Sequence, residues 1–249
     1  MKPVHADLEP AIAPIASKRE ASLLPRLTIS DGSLEALKWF ALLLMTLDHV
    51  NKYLLHESVT TIFNAGRVAM PLFAFVLAYN LARPGTLESG VYPRVMKRLA
   101  ISCAIATVPF VALGGLGWGW WPLNIMATLL LATAALYLVE LRAAPRALLA
   151  LPLLLVGGVF VEFWWFALAI VIATWSYSRR PTWPALLLGL AALASLQLVN
   201  RNPWAFAALP LIALAANLPI PIPKLRWVFY VFYPAHLALI WVVRVVFFS

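Results

Sequence analysis

From about residue 34 onward the chain alternates long apolar segments with short connections, and no other feature constrains its fold as strongly. The segments fall at about 34–54, 59–81, 94–113, 122–139, 146–161, 163–178, 183–199, 203–218 and 226–248. A helix crosses a bilayer with about 20 predominantly apolar residues, and short or tilted helices depart from that length. The pattern predicts an all-α, polytopic helical integral membrane protein with about nine transmembrane helices. The division between 146–161 and 163–178 is the weakest, because little more than Glu162 separates them; a tight hairpin and an interrupted helix both remain open. Composition agrees, since 63% of residues are hydrophobic and 12% charged, too few charges for the surface of a soluble domain. Eleven tryptophans and thirteen phenylalanines suit the aromatic belts at membrane interfaces.

Basic residues give the direction of the spans. Lys18, Arg19, Arg26 and Lys38 flank the first segment, and Arg83, Arg94, Lys97 and Arg98 fall in or beside the connection at 82–98. Arg142 with Arg146, Arg179 with Arg180, and Lys224 with Arg226 follow at alternate connections. The intervening connections are poorer in base, which predicts a cytoplasmic N-terminus and an external C-terminus. Residues 1–33 read as a cytoplasmic leader without the apolar run of a signal peptide, and 34–249 as a single helical membrane domain. Ser30 and Asp31 are candidate caps for the first helix.

The net charge of +9 is scattered between apolar runs, so topology explains it and no nucleic-acid partner is expected. The single cysteine, Cys103, allows no internal disulfide and reads as packing. His5, His49, His56 and His236 lack a compact ligand spacing, so no metal site is expected. The glycines at 114, 115, 117 and 119 form an aromatic loop outside the strand–helix context of a phosphate loop.

Chemistry concentrates where polar groups interrupt the spans. LLLMTLDHVNKYLL carries Asp48 and His49 within an apolar helix, and such groups face protein or a water-filled cavity. Adjacent residues point about 100° apart on a helix, so the two cannot stack. Asp48 can pair with Lys52 four residues on, or with Arg67 of the next helix. His49 is then the candidate base, and Arg67, always protonated, an electrostatic organiser. Gly66 suits close helix packing. Asn124 and Thr128 share a face and are candidates for holding a carbonyl oxygen or bridging helices. Pro234 interrupts the hydrogen-bond ladder near Tyr230 and can open a polar notch beside His236, which Tyr233 approaches on the same face. Glu162 lies at an external aromatic turn, as a surface anchor or as a contact for an acceptor. For every one of these groups a purely structural contact between helices is the competing reading.

The stretches LKWFALLLMTLDHVNKYLL, GRVAMPLFAFVLAYNLARP, LNIMATLLL and LRWVFYVFYPAHLALI, in that order, resemble the TraX family of membrane proteins associated with acetylation of conjugative pilin, itself distantly akin to membrane acyltransferases. The resemblance covers about residues 34 to 240. It implies a bacterial inner-membrane acetyltransferase that takes acetyl-CoA as donor and acts on a membrane-proximal acceptor, first of all the N-terminal amine of pilin. It carries Asp48, His49, Arg67, Asn124 and His236 over as catalytic candidates, with Tyr233 in support. VEFWWFALAI departs from the family's pattern, which bears on acceptor choice.

On this reading His49 takes the proton of the attacking amine, Asp48 and Arg67 set the local field, and Asn124 or His236 steadies the carbonyl oxygen or the thiolate. Arg83, Arg94, Lys97, Arg98 and Arg226, with Tyr233, are the candidate donor-binding groups, reached by acetyl-CoA from the cytoplasmic side. An envelope carbohydrate acetylated on oxygen is the alternative acceptor. A proton or ion transporter and a noncatalytic envelope assembly module, held in lipid by the same spans, are the rival classes.

Overall fold

Hydrocarbon offers backbone N–H and C=O groups no partner, so a chain embedded in it must satisfy them internally. The computed structural model describes residues 24–115, 121–141 and 144–247, and every named element among them is helical. Residues 1–23, 116–120, 142–143 and 248–249, and with them His5, Lys18, Arg19, Arg142 and the glycines at 117 and 119, lie outside the described residues.

In chain order the helices are α1 (Asp31–Tyr53), α2 (Thr60–Gly66), α3 (Ala69–Leu81), α4 (Val91–Ala112), α5 (Ile125–Glu140), α6 (Ala144–Phe160), α7 (Trp164–Arg179), α8 (Trp183–Ser195), α9 (Gln197–Asn200), α10 (Ala208–Asn217) and α11 (Val228–Phe247), with a 3-10 turn at Trp204–Ala207. Their starts follow local chemistry. Ser30 caps α1 by accepting the Ser33 N–H, Asn124 caps α5 through Met126, and Thr182 caps α8 through Ala185. The break between α2 and α3 traces to Pro71, which has no N–H to offer the Arg67 carbonyl four residues back. Arg67 therefore sits at a joint, where its side chain can leave the helix line.

α1 packs on α2, α3, α10 and α11, while α4 packs on α5 and α11, and α3 packs on α7. α3 is buried on two sides. Met70, Ala74 and Ala78 join the larger core, made with α4, α5, α7 and α11. Ala69, Leu72 and Phe75 join a second core with α1 and α10. Ala74 and Ala78 are fully buried, and such small side chains let helices approach closely.

The expectation of about nine transmembrane helices is overturned. Among the described residues four helical runs are long and apolar enough to cross a membrane: Thr60–Leu81, Val91–Ala112, Trp183–Asn200 and Val228–Phe247. α1 has 23 residues but carries Asp31, Glu35, Lys38, Asp48 and Lys52. α5, α6 and α7 have 16, 17 and 16 residues, and α10 has 10. At 1.5 Å per residue these reach about 15 to 25 Å, against a hydrocarbon thickness of about 30 Å. Apolar character in α7 serves the protein interior instead, with Ala167, Leu168, Ile170 and Val171 all buried. The uncertain division at Glu162 is a true helix break: Phe163 and Trp164 adopt left-handed backbone, with φ of 59° and 48°.

Candidate active site

Two histidines meet where α1 passes α11. His49 Nδ1 lies 2.7 Å from His236 Nε2, with the rings within 4° of parallel. His236 Nδ1 lies 3.0 Å from the carbonyl oxygen of Phe232. A carbonyl can only accept, so in the neutral pair His236 carries its proton on Nδ1 and offers a lone pair at Nε2. His49 Nδ1 must then be the donor across the 2.7 Å contact. The chain of bonds leaves His49 Nε2 with a bare lone pair, the form that accepts a proton or attacks a carbonyl. Tyr53 and Tyr233 border the His49 ring at centroid distances of 5.8 and 6.4 Å, and Phe232 stacks on His236 at 5.3 Å. His236 is 5% exposed.

Asp48 does not orient His49. It turns away along α1 to Arg67, whose guanidinium donates to it at 2.5 Å and also to the Phe63 carbonyl at 3.1 Å. Both side chains are sheltered, at 14% and 16% exposure. Gly66 permits the approach, because a Cβ there would lie 2.5 Å from the Asp48 Cβ and Cγ. Lys52 is exposed, with its ammonium 5.3 Å from the Tyr53 ring centroid. Asn51, unnoticed in the sequence, is buried and holds the turn after α1: it donates to the Val59 carbonyl at 3.1 Å and accepts the Val59 N–H at 3.0 Å.

Asn124 is 1% exposed and committed within the protein. It accepts the Met126 N–H at 3.1 Å and donates to the Cys103 carbonyl at 3.3 Å and to Thr107 Oγ1 at 3.2 Å. Pro234 frees the Tyr230 carbonyl as its chemistry demands, and Ser102 of α4 donates to that oxygen at 2.8 Å. The notch is thus filled from a neighbouring helix by a residue that sequence reasoning passed over.

A cavity of about 520 Å³ lies beside the pair. Lys38, Arg83, Arg94, Arg98, Lys224 and Arg226 line it, together with apolar side chains of α3 and α5, and no carboxylate does. Lys97 is exposed and does not line it. Four of the cations are steadied locally. Lys38 reaches Glu35 at 2.5 Å. Arg83 and Lys224 reach Asp31 at 2.5 and 3.8 Å. Arg98 lies 4.4 Å over the Trp227 ring. On α1 the lining includes Met45, and on α11 it includes Tyr233. His49 and His236 follow these by four and three residues, about one helical turn further on. Tyr233 therefore borders both the cavity and the two imidazoles.

Glu162, which the sequence offers as a surface anchor or as a contact for an acceptor, lies at the turn between α6 and α7. Its N–H donates to the Leu123 carbonyl at 3.0 Å, and its own carbonyl accepts from Thr128 Oγ1 at 3.0 Å. The carboxylate turns inward to the Ile125 N–H at the start of α5. Burial pushes its pKa up to about 7, against the pull of Lys52, the Ile125 N–H and Arg67. Among the described residues no group of three His, Cys, Asp or Glu side chains gathers to hold a metal ion.

The model of the family described as TraX protein matches residues 33–244. A protein named Protein TraX from Escherichia coli is 26% identical over 239 residues, 91% of this chain and 93% of that protein. Its namesake from Escherichia coli strain K12 is 41% identical over 69 residues, 28% of this chain and 27% of that protein. No solved structure matches. With the family model running from the first turn of α1 to the last turn of α11, the chain belongs to the TraX family, as a multi-pass helical protein of the bacterial inner membrane.

Proposed function

We propose that the protein transfers an acetyl group from acetyl-CoA to a membrane-proximal amine, the N-terminal amine of pilin being the first choice of acceptor. Family membership supports a membrane protein of acetyltransferase type. The observation that carries the mechanism is the directed pair of imidazoles, which leaves His49 Nε2 as an open base one helical turn beyond a basic cavity.

Acetyl-CoA is the donor substrate and supplies an activated thioester. The cavity suits it: six cations answer phosphate groups, and walls of Leu77, Met126 and Leu129 suit an apolar arm. By the positive-inside bias this basic mouth faces the cytoplasm, where the donor is found. Arg83, Arg94, Arg98 and Arg226 are the donor-binding candidates that line the cavity, joined by Lys38 and Lys224, while Lys97 stands outside it.

The acceptor nitrogen attacks the thioester carbonyl; a C–N bond forms and the C–S bond breaks. His49 Nε2 takes the proton from nitrogen and returns it to the leaving sulfur. The positive charge that builds on His49 is shared through Nδ1–H with His236, whose own Nδ1–H rests on the Phe232 carbonyl. His236 is a positioning residue in this scheme. Asp48 and Arg67 hold α1 against the α2–α3 joint and keep the neighbouring charge balanced. Asn124 fixes the start of α5 against α4.

Full-length protein in proteoliposomes, given labelled acetyl-CoA and pilin, tests the reading. Product analysis should find the label on the pilin amine, and His49→Ala should abolish transfer while acetyl-CoA still binds. Donor binding without label on any acceptor sinks it.

A further inference from the structure

Glu162 differs from the other inward-facing carboxylates. Asp48 is held by Arg67, Glu35 by Lys38 and Glu140 by Arg179. No cation lies within ion-pair distance of Glu162 among the described residues; its carboxylate meets the Ile125 N–H alone. Yet its position is built with care. Both backbone groups are engaged, by Leu123 and Thr128, and the two residues after it hold left-handed backbone that bulky aromatics rarely adopt. Such strain persists where surrounding structure over-determines it, and it clusters at working sites. Glu162 as a whole residue is half-buried.

Its surroundings join it to the histidine pair. The Tyr233 hydroxyl also faces the Ile125 N–H, and the charge of Glu162 is felt at both Tyr53 and Tyr233. Those two tyrosines are the ones that border His49. Glu162 does not line the basic cavity, whereas Tyr233 and Ile125 do, so the carboxylate lies behind that wall. Lys52 and Arg67 act on Glu162 only from beyond ion-pair distance. An electronegative group outside the anion-binding cavity, joined to the base through Tyr53 and Tyr233, suits a cationic ligand.

We propose that Glu162 receives the acceptor as a primary ammonium and takes its first proton, delivering the neutral amine to the acetyl group. This rests on the acetyl-transfer reading. Protons balance: the ammonium loses one to the Glu162 carboxylate, which releases it to water, and His49 Nε2 takes the second as the C–N bond forms. A carboxyl group that ionises near neutrality can make that exchange with an α-amine, whose ordinary pKa is about 7.7–8.0. A hydroxyl acceptor needs no such first step, so Glu162 also selects amines.

The test uses full-length protein in proteoliposomes with labelled acetyl-CoA. The acceptor probes are short peptides with a free N-terminal amine and, separately, a maltooligosaccharide, which offers hydroxyl groups and no amine. Glu162→Gln should raise the KM for the amine by about tenfold to a hundredfold, the range expected for a lost charge-assisted contact. Wild type should show a falling amine KM as pH rises through about 7, where Glu162 ionises, whereas the variant should lose that step and follow only the deprotonation of the amine itself at about 8. Glu162→Asp should restore part of both effects, and unchanged acetyl-CoA affinity in each variant shows that the fold survives. Wild-type transfer to amines with a Glu162→Gln KM and pH profile matching wild type overturns this inference and leaves acetyl transfer standing. Wild-type transfer to the oligosaccharide alone overturns the amine reading and this inference together.

Discussion

His49 and His236, 187 residues apart in sequence, share a 2.7 Å hydrogen bond whose direction is dictated by a third group, the Phe232 carbonyl. Because that oxygen can only accept, the tautomer of each ring follows from geometry. The consequence is chemical: one nitrogen in the pair, His49 Nε2, is left with a free lone pair in the neutral tautomer.

Substitution at His236 separates orientation from mere packing. His236→Leu removes the acceptor for His49 Nδ1, and kcat should fall about a hundredfold or more, the scale of a displaced general base. His236→Gln retains an acceptor oxygen on a side chain of similar reach and should recover part of the loss. Donor KM should hold steady in both, read from labelled acetyl transfer. Equal activity in the Leu and Gln variants would remove the hydrogen bond from the mechanism.

Asp48 and Arg67 make the complementary case, a sheltered ion pair that ties α1 to the α2–α3 joint. Arg67→Met strands a carboxylate and should cost about 3–5 kcal/mol, seen as a lower unfolding temperature in detergent. The double variant Asp48→Leu with Arg67→Met removes both charges and should regain most of that stability. Gly66→Ala should cost about 1–3 kcal/mol through its collision with Asp48. A double variant no more stable than Arg67→Met would show that the pair is not the source of the loss.

How much of this was legible beforehand follows from what sequence encodes. Asp48 with Arg67 could be read as an alternative to Lys52, because opposite charges at similar depth need each other and Gly66 announces close packing. The meeting of His49 and His236 could not, since periodicity says how a residue faces on its own helix and nothing of which helices touch. The span count failed for a related reason. Hydropathy treats Leu168 and Val171, buried against protein, like the exposed Val108. Glu162 stood in plain sight at an aromatic turn, but its inward aim depends on left-handed backbone at Phe163 and Trp164, which no propensity favours.

The basic cavity yields a comparison among cations. Arg98 and Arg226 line it and Lys97 does not, although all three carry the same charge in the same basic region. Arg98→Ala and Arg226→Ala should each raise the KM for acetyl-CoA about fivefold, with kcat unchanged, since the phosphates are bound alike in ground and transition states. Added salt should raise the wild-type KM. Lys97→Ala should match wild type. A Lys97→Ala effect equal to that of Arg98→Ala would mean that general surface potential, and not the cavity, attracts the donor.

The proline inside α11 offers a sharper test, because two residues on different helices answer for one oxygen. Pro234 cannot donate to the Tyr230 carbonyl, and Ser102 does so at 2.8 Å. Ser102→Ala should therefore cost about 1–3 kcal/mol, the penalty of a buried orphan acceptor. Pro234→Ala restores the missing N–H, so in that background the same serine substitution should cost little, giving a coupling of about 1 kcal/mol or more in a double-mutant cycle. His236 stands two residues beyond the proline, so a changed backbone at Pro234 should also shift its ring against His49 and lower kcat. If Ser102→Ala costs the same with and without Pro234, the serine is serving some other partner, and the freed carbonyl does not depend on it.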